Sequence, residues 1–222
     1  MDRPSLPVTA QLDILKELGV LELSSDPPST AAAVEDLRGK DPERIALVGL
    51  HPDWFRASDL APLLRRGDKA GFVVQDMVDV DEFQPVGVSI PESPLYLVHD
   101  VRRGDDLRNA SPEEGLVTLA STGRRPLTLH EGLSWALTEP DVIEANACFM
   151  TIASRRQKGS SRGGEPVFDA RTPALWISGG TGRDGSGHRG APKLGWCWWR
   201  NRHTWLGIAS ARDVHEGGPA LG

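Results

Sequence analysis

The feature that most constrains the fold of this chain is a tryptophan-rich segment near its C-terminal end. Residues 194–209 read LGWCWWRNRHTWLGIA and hold four of the seven tryptophans in the 222-residue sequence. Side chains of an extended strand alternate between its two faces, so Trp196 and Trp198 share one face while Cys197 and Trp199 share the other. Indoles on both faces indicate either a strand packed between two layers or a strand with a binding surface on one side.

Two strands are predicted within this segment, and two more precede it. Lys193–Trp199 and Thr204–Ser210 have strand-like patterns, and the polar residues 200–203 between them predict a tight hairpin. The runs Cys148–Ser154 and Pro173–Ser178 are short, apolar and bounded by polar loops. The four runs together predict an antiparallel sheet at the C-terminus that contains a Trp-rich hairpin.

Helical patterns dominate the N-terminal two thirds of the chain. Ser111 and Thr128 each begin a predicted helix with a capping box, because Glu114 and Glu131 stand three residues further on. A third helical pattern covers Val8–Leu23, where leucines recur at helical spacing. These patterns and the C-terminal strands predict an α+β fold.

Two further predicted strands, Gly71–Asp79 and Leu95–Val101, lie among the helices, and a mixed or extended sheet is expected where they join. No linker of domain scale separates the two regions, so we predict one α+β domain over residues 1–222. Its two parts are a helix-rich acidic part (1–146) and a strand-rich basic part (147–222) with two Gly/Arg-rich loops (155–172 and 179–192).

Charge is unevenly distributed along the chain. The net charge is −6, which combines −12 over residues 1–150 with +6 over residues 151–222. Either the two parts dock and partly neutralise each other, or the basic part receives an anionic ligand. A nucleic-acid partner is disfavoured because the whole chain is acidic and has no run of Lys or Arg.

The composition favours a cytoplasmic protein with no membrane partner. No stretch approaches the roughly 18–20 apolar residues of a membrane span, and the N-terminal residues lack the apolar region of a signal peptide. Two cysteines, Cys148 and Cys197, are too few for a disulfide framework and are interpreted as buried thiols.

Three motif matches carry little chemistry. GGTGRDG (179–185) contains G-x-G-x-x-G, but no helix pattern follows to hold a nucleotide phosphate. GSSRG (159–163) matches G-x-S-x-G without the preceding strand and following helix of a nucleophile elbow. Histidines lack metal-ligand spacing, and only the fold could bring His203 and Cys197 together around zinc. We therefore assign no metal site, and the cofactor is left unknown.

Two stretches point to a family. The matching segments are PLTLHEGLSWALTEPDVIEANACF, ASR, PALWIS and PKLGWCWWRNRHTWLGIASA, and the last two are the specific ones. Residues 127–211 resemble an actinobacterial family of unknown function through these motifs. The resemblance implies no activity and no catalytic residues, and the chain departs from the family pattern in long Gly/Arg-rich insertions at 156–171 and 179–191.

The leading hypothesis is a small-molecule binding protein or biosynthetic accessory enzyme that acts on an anionic or aromatic metabolite. His203 is the acid/base candidate because its pKa normally lies near neutrality, and Asn201, in the same predicted turn, is the second catalytic candidate. Arg155 is expected to hold a carboxylate or phosphate. The predicted ligand-binding wall consists of Trp176, Trp196, Trp198 and Trp205.

The alternative is a protein without enzymatic activity, whose exposed tryptophan face binds a protein partner or a second copy of the chain. A third and weaker hypothesis is nucleic-acid binding through the arginines of the loops and stacking aromatics. Exposure of the tryptophans discriminates between the first two hypotheses. A concave tryptophan wall favours a small ligand, whereas a flat patch favours a protein interface.

Overall fold

The computed structural model describes residues 2–40 and 43–212 and confirms the α+β class. The predicted division of the chain into one domain stays a prediction. The α-helices of the described residues are α1 (Val8–Glu17), α2 (Pro27–Lys40), α3 (Ala57–Leu60), α4 (Pro112–Ser121) and α5 (Leu129–Thr138). Both predicted capping boxes are present, with Ser111 and Glu114 at α4 and Thr128 and Glu131 at α5.

Short strands alternate with these helices and follow them. They are β1 (Leu47–Leu50), β2 (Arg65–Arg66), β3 (Lys69–Ala70), β4 (Phe72–Val73), β5 (Gln84–Pro85), β6 (Leu95–Val98), β7 (Arg124–Pro126), β8 (Cys148–Met150), β9 (Ser154–Arg155), β10 (Gln157–Ser160), β11 (Pro166–Phe168), β12 (Arg171–Ile177), β13 (Pro192–Trp198), β14 (Leu206–Ile208) and β15 (Ser210–Arg212). Among the described residues, the largest sheet has five strands in the order β14-β8-β12-β13-β4.

This sheet is mixed, as expected where the segment 71–79 joins it, but the prediction that the four C-terminal strands are antiparallel is wrong at β14. Strands β8, β12 and β13 run antiparallel to their neighbours in the centre. At one edge β14 pairs parallel to β8, and at the other β4 pairs parallel to β13. The long central pair runs in register from Arg171 opposite Trp198 to Ile177 opposite Pro192.

The predicted Trp-rich hairpin is also wrong. β13 and β14 are separated by β12 and β8, and the pairing directions make them parallel to each other. A tight hairpin joins antiparallel neighbours, whereas parallel strands need a crossover. The residues between them, 199–205, must span three strand spacings, about 14 Å, and also return toward the start of the strand. We call residues 199–205 the crossover segment.

The two strands predicted among the helices join different sheets. Only Phe72–Val73 of the predicted strand 71–79 is a strand, and it does join the edge of the large sheet. Leu95–Val98 pairs with β1 instead and forms a separate two-stranded sheet. The first predicted loop, 155–172, contains the antiparallel pair β10–β11, which glycines and arginines had concealed in the sequence pattern.

Helix α5 is the centre of the core. All ten of its residues are buried, and an added Cβ at Gly132 would collide with Thr151 and Phe149 of the large-sheet side. On its other side, Ser134 Oγ donates a hydrogen bond of 2.5 Å to the Val48 carbonyl of β1. A helix that is apolar on all sides must be surrounded, and α5 accordingly lies between the five-stranded sheet and the β1–β6 pair. No helix among residues 2–40 and 43–212 is long and apolar enough to cross a membrane.

One ionisable group of this helix makes the fold sensitive to acid. The His130 ring is buried, its Nε2 lies 2.9 Å from the Phe55 carbonyl oxygen, and its Nδ1 has no hydrogen-bond partner among the described residues. Desolvation lowers the pKa of His130 to about 4. In the unfolded chain the ring titrates near 6.5, so the unfolded state binds more protons between these values.

We therefore expect His130 to lower the free energy of unfolding by about 2–3 kcal/mol as the pH falls from 6.5 toward 4. Above pH 6.5 its contribution to stability is fully present. The variant His130→Gln retains a donor toward Phe55 but does not titrate. Urea unfolding at pH 7.5 and 4.5 should show a smaller acid loss in the variant than in the parent chain. An equal loss in both proteins would contradict this role of His130.

Candidate functional site

The two faces of the five-stranded sheet bury different sets of side chains. Leu175, Leu194 and Trp196 pack into the main core on the side of α5. The opposite face, which we call the outer face, carries a second apolar cluster with Ala174 and Cys197 at its centre. Burial raises the pKa of the Cys197 thiol to about 12, so this cysteine is a neutral packing group.

The crossover segment runs across the outer face. Its first and last residues, Trp199 and Trp205, both pack on the outer-face cluster. Its backbone is fixed by two neighbours, since Glu113 N–H donates to the Trp199 carbonyl at 3.3 Å and Asn109 N–H donates to the His203 carbonyl at 2.8 Å. The segment therefore serves first as a cover for this face of the sheet.

Ion pairs fasten the exposed middle of the crossover segment to α4. Arg200 pairs with Glu113, and Arg202 pairs with Glu114. Asn201, a predicted catalytic residue, is exposed between them, and its backbone N–H donates to the Trp198 carbonyl in a turn. The predicted hairpin tip is thus a surface strap with its arginines already paired.

Three of the predicted site residues do come together on the outer face. The His203 ring lies 5.5 Å from the Trp205 ring, and Trp205 lies 5.9 Å from Trp176, both edge-on. His203 Nε2 is buried without a hydrogen-bond partner among the described residues. Desolvation lowers the pKa of His203, and no carboxylate is described in contact with its ring. The ring is therefore neutral at physiological pH and packs as an aromatic.

Arg155 borders the outer face through Trp199, whereas the other two tryptophans of the predicted wall lie on the opposite face of the sheet. The Arg155 guanidinium stacks 3.8 Å from the centre of the Trp199 ring and donates to the Asp169 carbonyl. Trp196 and Trp198 contact each other at 4.5 Å on the α5 side of the strand, where Trp196 Nε1 donates to Asp76. The sheet therefore separates the four tryptophans of the predicted wall into two pairs that cannot line one pocket.

A cavity in the described residues lies away from all the tryptophans. It is a cleft of about 450 Å³ between the C-terminal end of α2, strand β6 and the segment before β6. Its lining residues are Asp36, Leu37, Lys40, Arg44, Ser89, Pro91, Ser93, Leu95, Tyr96, Leu97, Val98, His99 and Arg125. We call it the β6 cleft. A second cavity of about 180 Å³ adjoins it at Val98.

A buried ion pair holds two residues of the β6 cleft in place. The fully buried Glu131 carboxylate accepts two hydrogen bonds from Arg125, at 2.7 and 2.9 Å, and one from the Tyr96 hydroxyl at 3.1 Å. It also accepts the Thr128 N–H at 2.8 Å in the capping box of α5. Desolvation and the Glu131 charge raise the pKa of Tyr96 well above its ordinary value, so its hydroxyl remains a donor.

Cations predominate around the rest of the cleft. Lys40 and Arg44 are exposed at its rim, and Asp36, the one acidic residue among the described residues of the lining, pairs with Lys40. Desolvation and the nearby Arg44 charge lower the pKa of His99, which keeps this ring neutral near pH 7. The β6 cleft is thus suited to an anion.

A family model described as a family of unknown function (DUF5701) matches residues 14–217. The match covers most of the chain. The chain belongs to this family. No curated protein and no solved structure shows a significant match to the chain. The family region is wider than the resemblance seen in the sequence motifs, and it includes both the crossover segment and the whole β6 cleft. The actinobacterial origin stays a prediction.

Sequence reasoning missed the β6 cleft, although one signal for it existed. The segment LHEGLSWAL is apolar on all sides of a helix, so its charged residue Glu131 needed a buried partner. Arg125, six residues earlier, supplies it. Lys40, Arg44 and His99 come from distant segments with no local pattern. Among the described residues, no group of three or more His, Cys, Asp or Glu side chains could hold a metal.

Gly207 of the motif TWLGIA lies in a close approach of two backbone segments, which can be tested by substitution. A Cβ at Gly207 of β14 would lie 2.6 Å from the Arg103 carbonyl oxygen and 2.7 Å from that of Gly104. We expect Gly207→Ala to lower the free energy of unfolding by about 2 kcal/mol or more, because backbone must shift. Gly187→Ala, with no atom within 4 Å of the added Cβ, is the matched control. Urea unfolding that gave the two variants equal stability would contradict this close approach.

Proposed function

We propose that the chain binds an anionic ligand, bearing carboxylate or phosphate groups, in the β6 cleft. The observation that carries the proposal is the convergence of Lys40, Arg44 and Arg125 on one cleft of about 450 Å³. This volume lies within the range of pockets that hold small ligands, roughly 300–1,000 Å³. The anionic ligand class predicted from the sequence is retained, and its location changes from the tryptophans to this cleft.

The residues of the cleft make different contributions to binding. Arg125 is positioned by its two hydrogen bonds to Glu131, whose charge balances its own, so long-range attraction of an anion comes from the rim. Lys40 and Arg44 lie at the rim, where exposed cations attract an anion over roughly 8–10 Å at physiological salt. Apolar walls from Leu37, Leu95 and Leu97 limit the access of water. Hydrogen bonds to a charged ligand are strengthened in such surroundings.

The arrangement supports binding better than catalysis. Tyr96 and Glu131 are bound to each other and to Arg125, and no carboxylate of the cleft lining is left beside His99 to orient it as a general base. On the outer face, His203 likewise lacks a described acidic partner. The earlier hypothesis of His203 and Asn201 as a catalytic pair has no geometric support, and we propose a binding protein.

The protein-interaction alternative concerns a different surface. Trp198 is 47% exposed and lies against Trp196. Val78 is 92% exposed and lies in the same loop as Asp76, which accepts hydrogen bonds from both Trp196 and Arg171. Apolar side chains in this arrangement are typical of a contact with another protein. This patch and the β6 cleft are lined by different residues, so the two functions do not exclude each other.

Removal of one rim cation should weaken anion binding. We expect Arg44→Gln to raise the dissociation constant for citrate about tenfold, since a charge-assisted contact contributes roughly 1.5 kcal/mol. Arg162→Gln removes the same charge from an exposed turn outside the cleft and should leave binding unchanged. Isothermal titration calorimetry at low salt measures both. Equal effects of the two variants, or the absence of saturable binding of citrate, phosphate and sulfate to the parent chain, would overturn the proposal.

A further inference from the structure

One edge of strand β6 faces the β6 cleft. His51 N–H donates to the Pro94 carbonyl at 3.1 Å, which fixes the alternation of hydrogen-bonded pairs between β1 and β6. In this alternation Tyr96 and Val98 bond to β1, whereas Leu95 and Leu97 direct their backbone groups away from it. The side-chain contacts agree, because Ser93 Oγ donates to the outward carbonyl of Leu95 at 2.8 Å.

The lining of the cleft identifies the same edge. Five consecutive residues, 95–99, line it. Successive side chains of a strand point to opposite faces, so side chains alone cannot explain a consecutive run. The element that these residues share is the backbone edge, which therefore forms one wall of the cleft.

Several other outward groups of this small sheet are already bonded. On β1, Gln11 accepts the Val48 N–H at 2.9 Å, and Ser134 donates to the Val48 carbonyl. Beyond β6, Arg212 N–H donates to the His99 carbonyl at 3.1 Å. Within residues 2–40 and 43–212, no hydrogen bond is described for the N–H or C=O of Leu97. An open strand edge presents unpaired N–H and C=O groups that can pair with another chain.

We propose that the ligand of the β6 cleft is an acidic peptide segment that binds in extended conformation as a third strand beside β6. The inference rests on the proposed anion-binding function and specifies its ligand. Peptide N–H and C=O groups of the ligand pair with Leu97, and its carboxylate side chains meet the rim cations Lys40 and Arg44. Addition of a strand to an open edge is a common mode of peptide recognition.

Charge and length both fit this ligand. Residues 95–99 cover about 13 Å of extended chain, enough for a segment of four to five residues. A free metabolite such as a dicarboxylate would satisfy the cations and leave the Leu97 peptide groups without partners. An acidic peptide satisfies both sets of groups at once. Its alternate side chains would also contact the apolar walls formed by Leu37 and Leu95.

The test is an N-methyl scan of a capped hexapeptide in which valine alternates with glutamate. Binding to the whole chain is measured by fluorescence anisotropy of a labelled peptide, beside calorimetric titration with citrate. A strand at the β6 edge directs every second amide to Leu97 or its neighbours, so N-methylation should weaken binding about tenfold at alternate positions and little between them. The same peptide with lysine in place of glutamate should bind at least tenfold more weakly.

Each outcome has a distinct meaning. Binding of citrate without binding of the peptide would overturn the peptide assignment and leave the anion-binding proposal standing. Peptide binding without the alternating N-methyl pattern would overturn the strand pairing. Failure of both citrate and peptide to bind would reject the proposed function itself. An N-methylation effect at every second position would support the inference, together with peptide binding that Arg44→Gln weakens and Arg162→Gln leaves unchanged.

Discussion

The buried carboxylate of Glu131 is the interaction on which the rest of this structure depends. It caps α5, the helix at the centre of the core, and accepts hydrogen bonds from Arg125 on β7 and from Tyr96 on β6. A fully buried charge is tolerated only when it is paired and its lone pairs are occupied. Loss of any of these donors would therefore affect the core and the wall of the β6 cleft together, which couples the stability of the fold to the shape of the cleft.

The second constraint is the parallel relation between β13 and β14. It obliges the crossover segment to run across the outer face, where Trp199 and Trp205 bury the apolar cluster and α4 holds the strap through Glu113 and Glu114. The most conspicuous chemistry in the sequence is thus used for covering a sheet. The less conspicuous residues around β6 remain accessible, and they form the cleft with the size and charge of a binding site.

The contrast between these regions shows what could be predicted from the sequence. Local rules gave the capping boxes of α4 and α5 and most of the C-terminal strands, because caps and strands depend on nearby residues. The pairing of β13 and β14 within the sheet was not predictable. Arg200–His203 have the polar character of a hairpin turn whether the next strand of the chain is adjacent in the sheet or three places away. The β6 cleft unites Lys40, His99 and Arg125 from distant segments, and no local pattern encodes that convergence. Helix α5 came closest to revealing it, since a buried glutamate requires a partner.

The central claim is that the β6 cleft binds the ligand and that the tryptophans serve for packing. Two-dimensional amide NMR tests both parts in one titration, because Leu97 and His99 report on the cleft while the indole N–H signals of Trp176 and Trp205 report on the outer face. We predict that citrate shifts the backbone amides of Leu97 and His99 in a saturable manner and leaves these two indole signals unchanged. Saturable shifts of the indole signals with unmoved Leu97 and His99 amides would contradict the account.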